Sequence, residues 1–297
     1  MVVTVASFFL LYAGSGDIAR TILGQTATEE TVALKEQELG LDRPVLTQFT
    51  DWFSNAVQGD LGRSWFSGQP VTDAIVSRAA VTLSLVIGAT LVSAIVAVLL
   101  GVLAARRGGW VDRVVQVVSV IGVAIPGFLI AIGLVLVFAI NLGWFEPTGY
   151  TQFTDSPGGW LASITLPVIA LSIGAIAGVA QQVRGSMLDA QRQDWVRTLR
   201  SRGLSESRVV YEHVLRSAAG PALSILAVQF IALIGGAIFV EQIFAIPGLG
   251  QVAVGATGRG DIPLVLGLVI AVTVLVVIVN LVVDLLQGWL NPKVRRT

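Results

Sequence analysis

Long apolar stretches dominate the chain and alternate with shorter polar segments. A helix needs about 20 apolar residues to cross about 30 Å of hydrocarbon. Lipid offers backbone amides no partner, so they must pair internally, and the short alternating segments typical of a barrel are missing. The pattern therefore predicts transmembrane helices over the five stretches that carry no charge, which are Ala79–Ala105, Val114–Ile140, Trp160–Val183, Ala218–Val240 and Ile262–Val283.

The beginning of the chain, residues 1–13, is also apolar but too short to cross a bilayer by itself. No basic region precedes this run and no small-residue cleavage site is clear, which disfavours a signal peptide. We therefore predict a first transmembrane helix with an apparently shortened start, which brings the total to six. A segment of another kind, such as a signal peptide, is the alternative interpretation.

Basic residues indicate the orientation of these helices. Most of the 19 Lys and Arg residues lie between the second and third helices, between the fourth and fifth, and after the sixth. These segments alternate onto one face, and basic loops favour the cytoplasm. Both termini are therefore predicted to be cytoplasmic, including a short tail at 291–297.

The segment 14–78 then lies outside the cell and is too long for a simple connector. Thr28 can cap a helix that ends before Gly40, and Val45–Val57 carries aromatic side chains on one face. We predict a small extracytoplasmic helical insertion here, ahead of a five-helix core over 79–290. A solvated loop is the alternative.

A cytoplasmic loop at 184–217 is dense in arginine. Its amphipathic run Asp194–Arg202 stops at Gly203 and restarts over Leu204–Leu215, which predicts two short helices joined by a glycine corner. Such a segment can lie on anionic lipid, but its interspersed acidic residues favour docking to a protein partner.

Composition narrows the possible chemistry. Hydrophobic residues make up 54% of the chain and charged residues 13%, whereas soluble proteins carry about 25% charged residues. This excludes an ordinary cytosolic enzyme and a nucleic-acid-binding chain. Cysteine is absent and His213 is the single histidine, so no metal or other cofactor is expected. No lysine precedes Ser or Thr as a phosphate-binding loop requires, and no catalytic residues are expected.

Prolines mark irregular points within the spans. Pro126-Gly127 is predicted to interrupt the third helix and Pro167 the fourth, because each proline removes a backbone hydrogen bond. These points could act as hinges for alternating access or serve packing alone. Glu241 lies just past the fifth apolar run and is predicted to be a hydrogen-bonding anchor at the membrane interface, with a proton relay as the alternative. The spans carry no ionisable groups, so the energy for any transport must come from another subunit.

A longer motif in the cytoplasmic loop runs Asp194-Trp195-Val196-Arg197-Thr198-Leu199-Arg200-Ser201-Arg202-Gly203-Leu204-Ser205-Glu206, followed by His213-Val214-Leu215-Arg216. This motif closely resembles the cytoplasmic loop of ABC-importer permeases, and in particular that of the first permease of the dipeptide/oligopeptide/nickel group. Further matches occur in order along the chain, at Leu39–Pro44, Gly59–Ser64, Arg78 with Thr82-Leu83, Ile125-Pro126-x-Phe128, Leu166-Pro167, Arg184-x-x-Met187-Leu188, Glu241-x-x-Phe244, Pro247–Gly250, and Asn280 with Asp284.

The resemblance implies an all-α, six-helix type I permease in the bacterial inner membrane. It implies a heterodimer with a second homologous permease, two ATP-binding subunits underneath, and an extracytoplasmic substrate-binding protein or lipoprotein, with lipid around the helices and no nucleic acid. The loop would carry the ATPase-coupling helix, formed by Asp194, Trp195, Val196, Arg197, Thr198, Leu199, Arg200, Arg202, Gly203, Leu204, His213, Leu215 and Arg216. Candidate hinge or gate residues are Pro126, Gly127, Pro167, Glu241, Phe244, Pro247 and Gly248.

The resemblance favours a non-catalytic permease for peptides, with ATP hydrolysis on partner subunits. Within the same class, the alternative substrates are nickel, a metal chelate or an oligosaccharide. A secondary transporter or channel without ATPases is the alternative from another class, and a membrane-embedded enzyme is the weakest hypothesis.

Overall fold

The computed structural model describes residues 2–14, 18–24 and 26–290, and these ranges contain helices and no strand. The helices are α1 (Val2–Ala13), α2 (Ile18–Leu23), α3 (Glu29–Leu39), α4 (Val45–Val57), α5 (Val71–Arg107), α6 (Gly109–Ala124), α7 (Gly127–Leu134), α8 (Pro157–Gln191), α9 (Asp194–Ser201), α10 (Glu206–Arg208), α11 (Leu215–Ile243), α12 (Leu249–Arg259) and α13 (Ile262–Leu290). Two π-helical segments, Val135–Asn141 and Val209–Val214, continue α7 and α10. The predicted tail 291–297 lies outside the described residues.

Four of the five uncharged stretches are continuously helical, as predicted, and Val114–Ile140 is helical on both sides of a break at residues 125 and 126. Among the described residues, four helices are long and apolar enough to cross a membrane, and α6 with α7 makes a fifth if the bent pair counts as one span. The helices extend beyond the apolar stretches, so that α5 already begins at Val71 and α8 continues to Gln191. Helix α1 has 12 residues.

The chain divides into two compact units. One takes the residues up to Val81 together with Pro247–Leu275, and the other takes Thr82–Ile246 together with the residues from Val276 onward. We refer to them as the first and second units.

In the first unit, the two helices predicted for the insertion are confirmed. The Thr28 hydroxyl accepts a hydrogen bond from the Thr31 amide at 3.4 Å, and α3 ends at Gly40 in the left-handed conformation. Helix α4 brings Phe49 and Trp52 against the fully buried Phe8 of α1, with ring centroids 5.1 and 5.4 Å apart. This aromatic cluster is the core that anchors α4 to α1.

A short loop of the same unit is tied to the start of α13. The Ser64 hydroxyl and the Trp65 amide donate hydrogen bonds to the two carboxylate oxygens of Asp261, which is 2% exposed. The Ser64 hydroxyl in turn accepts hydrogen bonds from the amides of Phe66 and Ser67. These bonds satisfy a carboxylate that would be costly to bury without partners.

Replacing Ser64 by alanine is expected to destabilise the protein by about 1–3 kcal/mol, because the buried Asp261 carboxylate loses a donor. Thermal unfolding of the purified protein in detergent measures the effect. Ser67→Ala is the matched control, since the Ser67 hydroxyl is exposed and makes a single long contact with the Gln69 amide. Equal unfolding temperatures for both variants would contradict the assigned role of Ser64.

In the second unit, α8 packs against α6, α7 and α11. The predicted interruption at Pro126 is confirmed, since α6 and the α7 segment meet there at a bend of 94°. The predicted interruption at Pro167 is wrong, because α8 continues through that residue. Pro167 is buried in α8, which packs against α6, α7 and α11. This packing keeps the backbone of α8 helical although the proline cannot donate a hydrogen bond.

Candidate functional site

The cytoplasmic loop predicted from the sequence forms a compact turn between two long helices. Helix α8 ends at Gln191, α9 begins at Asp194, and α10 with its π-helical continuation leads into α11. The two short helices and the glycine corner between them are confirmed. We call residues 192–214 the coupling segment, after the role that the sequence predicts for them.

One face of the coupling segment is buried. Val196 of α9 has no exposed surface, and Leu199 and Leu204 pack beside it. They join a hydrophobic cluster contributed by α5, α8, α11 and the π-helical segment, whose buried members are Ala97, Val102, Ala105, Val179, Ala180, Val183, Met187, Ala190, Val196, Val209, Val210, Val214, Ala218 and Ala222. This packing attaches α9 to the ends of the long helices.

The opposite face of α9 is open to solvent. The side chains of Asp194 and Arg197 are 99% and 83% exposed, and their charges are 4.0 Å apart, so they are only loosely paired. Trp195 is 38% exposed, and Thr198 and Arg202 are exposed as well. An aromatic ring between basic side chains is typical of a surface that binds a protein.

The corner after α9 depends on Gly203. Its φ angle is +81°, which side chains with a Cβ rarely adopt, and its amide donates to the Arg200 carbonyl at 2.9 Å. The Leu204 amide donates to the Leu199 carbonyl at 3.3 Å. Together these bonds form a C-terminal cap of α9 in which Gly203 has the left-handed conformation. Gly203 therefore allows the chain to turn sharply as it leaves α9.

An ion pair closes the corner from the side. The Arg200 guanidinium donates two hydrogen bonds to the Glu206 carboxylate, at 2.9 and 2.7 Å. These bonds raise the pKa of Arg200 above its ordinary value. The paired geometry holds α9 and α10 at a fixed angle.

A third contact connects the corner to the end of α5. Arg106 lies over the Tyr211 ring with its guanidinium carbon 5.5 Å from the ring centroid, and it donates to the Tyr211 and Ser207 hydroxyls at 3.1 and 3.3 Å. The remaining residues of the motif differ in burial: His213 and Leu215 are half-buried, and Arg216 is exposed. His213 therefore lies mostly within the protein, and Arg216 extends the basic surface.

A partly buried ion pair joins α6 to α8 on the way to the coupling segment. Arg184 donates through two nitrogens to the two carboxylate oxygens of Asp112, and the Gln116 amide donates to the same carboxylate at 3.0 Å. The Arg184 and Asp112 side chains are only 22% and 17% exposed. Helix α8, which leads directly into α9, is thus clamped to the first half of the bent span.

The bend at Pro126 opens a cavity of about 420 Å³ in the second unit. Pro126 and Gly127 line it, together with small and apolar residues of α6, α8 and α11. Ile125 takes the extended conformation that a following proline favours, with φ −84° and ψ 120°, which explains why the helix breaks there.

The predicted gate residues near the end of α11 are divided between the two units. Glu241 is fully buried in the second unit and accepts a hydrogen bond from the Thr82 hydroxyl at 2.6 Å. It is hydrogen-bonded as predicted, but it lies inside the protein fold and has no exposed surface. Phe244 is also buried, and its carbonyl accepts from the Gly149 amide at 2.9 Å. Pro247 and Gly248 belong to the first unit, where they precede α12.

Two polar residues of this site were not among the candidates from the sequence. Asp112 lies in a short polar stretch between two predicted spans, where nothing local distinguishes it from a solvated loop residue. Gln229 is an uncharged residue inside an apolar run, and it proves to line the cavity. Both residues are distinguished only by their contacts with other helices, which are distant in the sequence.

Comparison with known protein families and structures identifies the architecture. The family of binding-protein-dependent transport system inner membrane components matches residues 97–296, and the N-terminal region described for such components matches residues 1–86. Among solved structures, a chain of the MetNI methionine ABC transporter in an inward-facing conformation has a similar fold, with a TM-score of 0.61 at 17% identity, covering 74% of this chain and 97% of the other.

Sequence similarity to known permeases extends over almost the whole chain. A putative peptide transport system permease of Brucella abortus is 40% identical over 296 residues, which is 99% of this chain and 94% of the relative. A glutathione transport system permease of Escherichia coli is 37% identical over 295 residues, again covering 99% and 94%. The chain therefore belongs to the binding-protein-dependent transport system inner membrane components, which are the non-catalytic, multi-pass permease subunits of ABC importers.

Proposed function

We propose that this chain forms one half of the translocation pathway of an ATP-driven importer for peptides. Its relatives named as peptide and glutathione permeases support this substrate class. In this proposal α1 is the first of six transmembrane helices, the segment 14–78 is an extracytoplasmic insertion, and both termini are cytoplasmic. A second homologous permease forms the other half, and a substrate-binding protein delivers the peptide from outside.

The observation that carries the proposal is the two-sided construction of α9. Val196 fixes one face of the helix in the hydrophobic cluster, while Trp195 and Arg197 are presented on the other. A helix that must transmit a displacement has to be rigid toward its own subunit and exposed toward the subunit that moves it. The exposed arginines fit carboxylates on an ATP-binding subunit.

The structure also offers a route for that displacement. A push on α9 acts on α8, because the two helices are separated by only Arg192 and Gln193. The Asp112–Arg184 ion pair passes the movement to α6, whose other end is the bend at Pro126. In this mechanism, closure of the ATP-binding subunits changes the shape of the cavity that the bend opens.

Charge reversal at Arg197 tests the docking surface. We expect Arg197→Glu to reduce the amount of ATP-binding subunit that co-purifies with the chain by about tenfold, because like charges then face each other across the contact. The second permease should still co-purify. Arg107→Glu is the control, because Arg107 is an exposed arginine at the end of α5 and gives the same change in net charge.

The same purification tests the proposal as a whole. The unmodified chain, expressed with its neighbouring genes, should bring down a second permease and ATP-binding subunits, and the complex should take up peptides in liposomes only when ATP and the binding protein are present. Peptide uptake by the chain alone, without ATP, would contradict the proposal. Equal loss of ATP-binding subunits in both charge-reversal variants would contradict the assignment to α9.

A further inference from the structure

The cavity at the bend brings together the centres of three helices. Gly174 lies in the middle of the 35-residue α8, Gln229 in the middle of the 29-residue α11, and Pro126 between the two halves of the bent span. All three line the cavity. Transport sites commonly lie near the bilayer midplane beside a discontinuous helix.

Gln229 supplies the single polar side chain among the residues that line this cavity. The other lining residues are glycine, alanine, proline, larger aliphatic residues and phenylalanine. Gln229 is half-buried, and no hydrogen bond to its side-chain amide occurs within the described ranges. Its donor and acceptor atoms are therefore free to pair with a polar group that enters the cavity, and no other lining side chain competes for that group.

Gly178 provides the space in which this amide lies. It is one turn beyond Gly174 on the same face of α8, and a Cβ atom added to it would lie 2.7 Å from the Gln229 amide nitrogen. Real Cβ contacts are not that short, so any larger residue at position 178 would displace the amide. The position of the Gln229 amide therefore depends on the absence of a side chain at Gly178.

We infer that Gln229 hydrogen-bonds the main chain of the peptide as it passes through the cavity. A carboxamide carries one acceptor oxygen and a donor nitrogen, which together match the N–H and C=O groups of a peptide unit. Every peptide has these groups whatever its side chains, while the small apolar wall leaves room for different side chains. The neutral amide also avoids the strong desolvation cost of a charged group in this position. This inference rests on the proposed function and specifies how the cavity accepts its substrate.

Uptake by the complete importer tests the inference. The chain, its partner permease, the ATP-binding subunits and the binding protein are reconstituted in liposomes, and a mixture of two- to six-residue peptides is supplied and quantified by mass spectrometry. Gln229→Met keeps the side-chain volume and removes the amide. We expect its maximal uptake rate to fall about 3- to 10-fold for all transported peptides alike, which corresponds to one hydrogen bond. Stimulation of ATP hydrolysis by the binding protein should persist.

Two further variants separate a substrate contact from a structural role. Gly178→Ala retains the amide but displaces it, and should lower uptake in the same peptide-independent way. Val228→Met alters the neighbouring residue, which is 60% exposed on another face of α11, and should leave uptake unchanged. Unchanged uptake in Gln229→Met, a loss restricted to a few peptides, or failure of both cavity variants to assemble would each overturn the inference. If the unmodified importer takes up no peptide at all, the proposed function itself fails.

Discussion

Replacing Gly203 by proline is expected to abolish transport while leaving the chain in the membrane. Proline fixes φ near −65°, whereas the corner after α9 requires +81° at this position. Proline also lacks the amide hydrogen that Gly203 donates to the Arg200 carbonyl. The angle between α9 and α10 would change, and the exposed face of α9 would no longer be presented to the ATP-binding subunits that we propose to dock there.

Asparagine at the same position is the matched control for this prediction. Asparagine tolerates the left-handed conformation, and a Cβ atom at Gly203 would meet nothing within 4 Å. Gly203→Asn should therefore retain most of the uptake, even though it also adds a side chain. Peptide uptake and membrane content are measured for both variants. Wild-type uptake by the proline variant would refute the role of the corner.

Breaking the ion pair between α6 and α8 is expected to have the second large effect. Asp112→Arg places two guanidinium groups together at a site where both side chains are less than a quarter exposed. Loss of a partner from a buried pair costs about 3 kcal/mol or more, and this partly exposed pair should lie near the lower end. We expect a lower unfolding temperature in detergent and weaker coupling of ATP hydrolysis to uptake.

The double variant Asp112→Arg with Arg184→Asp restores opposite charges in exchanged positions. If the pair transmits movement between α6 and α8, the double variant should recover part of both the stability and the number of peptides transported per ATP. Arg113→Asp reverses the charge of the adjacent exposed arginine and serves as the control. Double and single variants with equal defects would show that Asp112 and Arg184 act independently.

The features that the sequence predicted correctly depend on short-range physics. An apolar run of about 20 residues must form a helix in lipid whatever surrounds it, so the uncharged stretches were sufficient to predict helices. Thr28 caps the start of α3 and Gly40 caps its end, each through hydrogen bonds to residues a few positions away. Gly203 marked the corner of the coupling segment for the same reason.

The two prolines show where local information ends. Pro126 and Pro167 each lie in an apolar run, and each removes one backbone hydrogen bond, yet only the first breaks its helix. Beside Pro126 the chain bends by 94° and lines a cavity, whereas Pro167 is enclosed by neighbouring side chains. Whether a proline breaks its helix depends on packing against other helices. This packing cannot be predicted from the spacing of residues along one helix.

By itself, the sequence determined which segments are helical, where the coupling segment turns and that its first helix is amphipathic. Only the tertiary structure decided that Asp112 pairs with Arg184, that Glu241 is buried against Thr82, and that Gln229 lines a cavity. The physical reason is distance along the chain. Helix formation and capping act within about one turn, whereas these contacts join residues on different helices and exist only once those helices have packed.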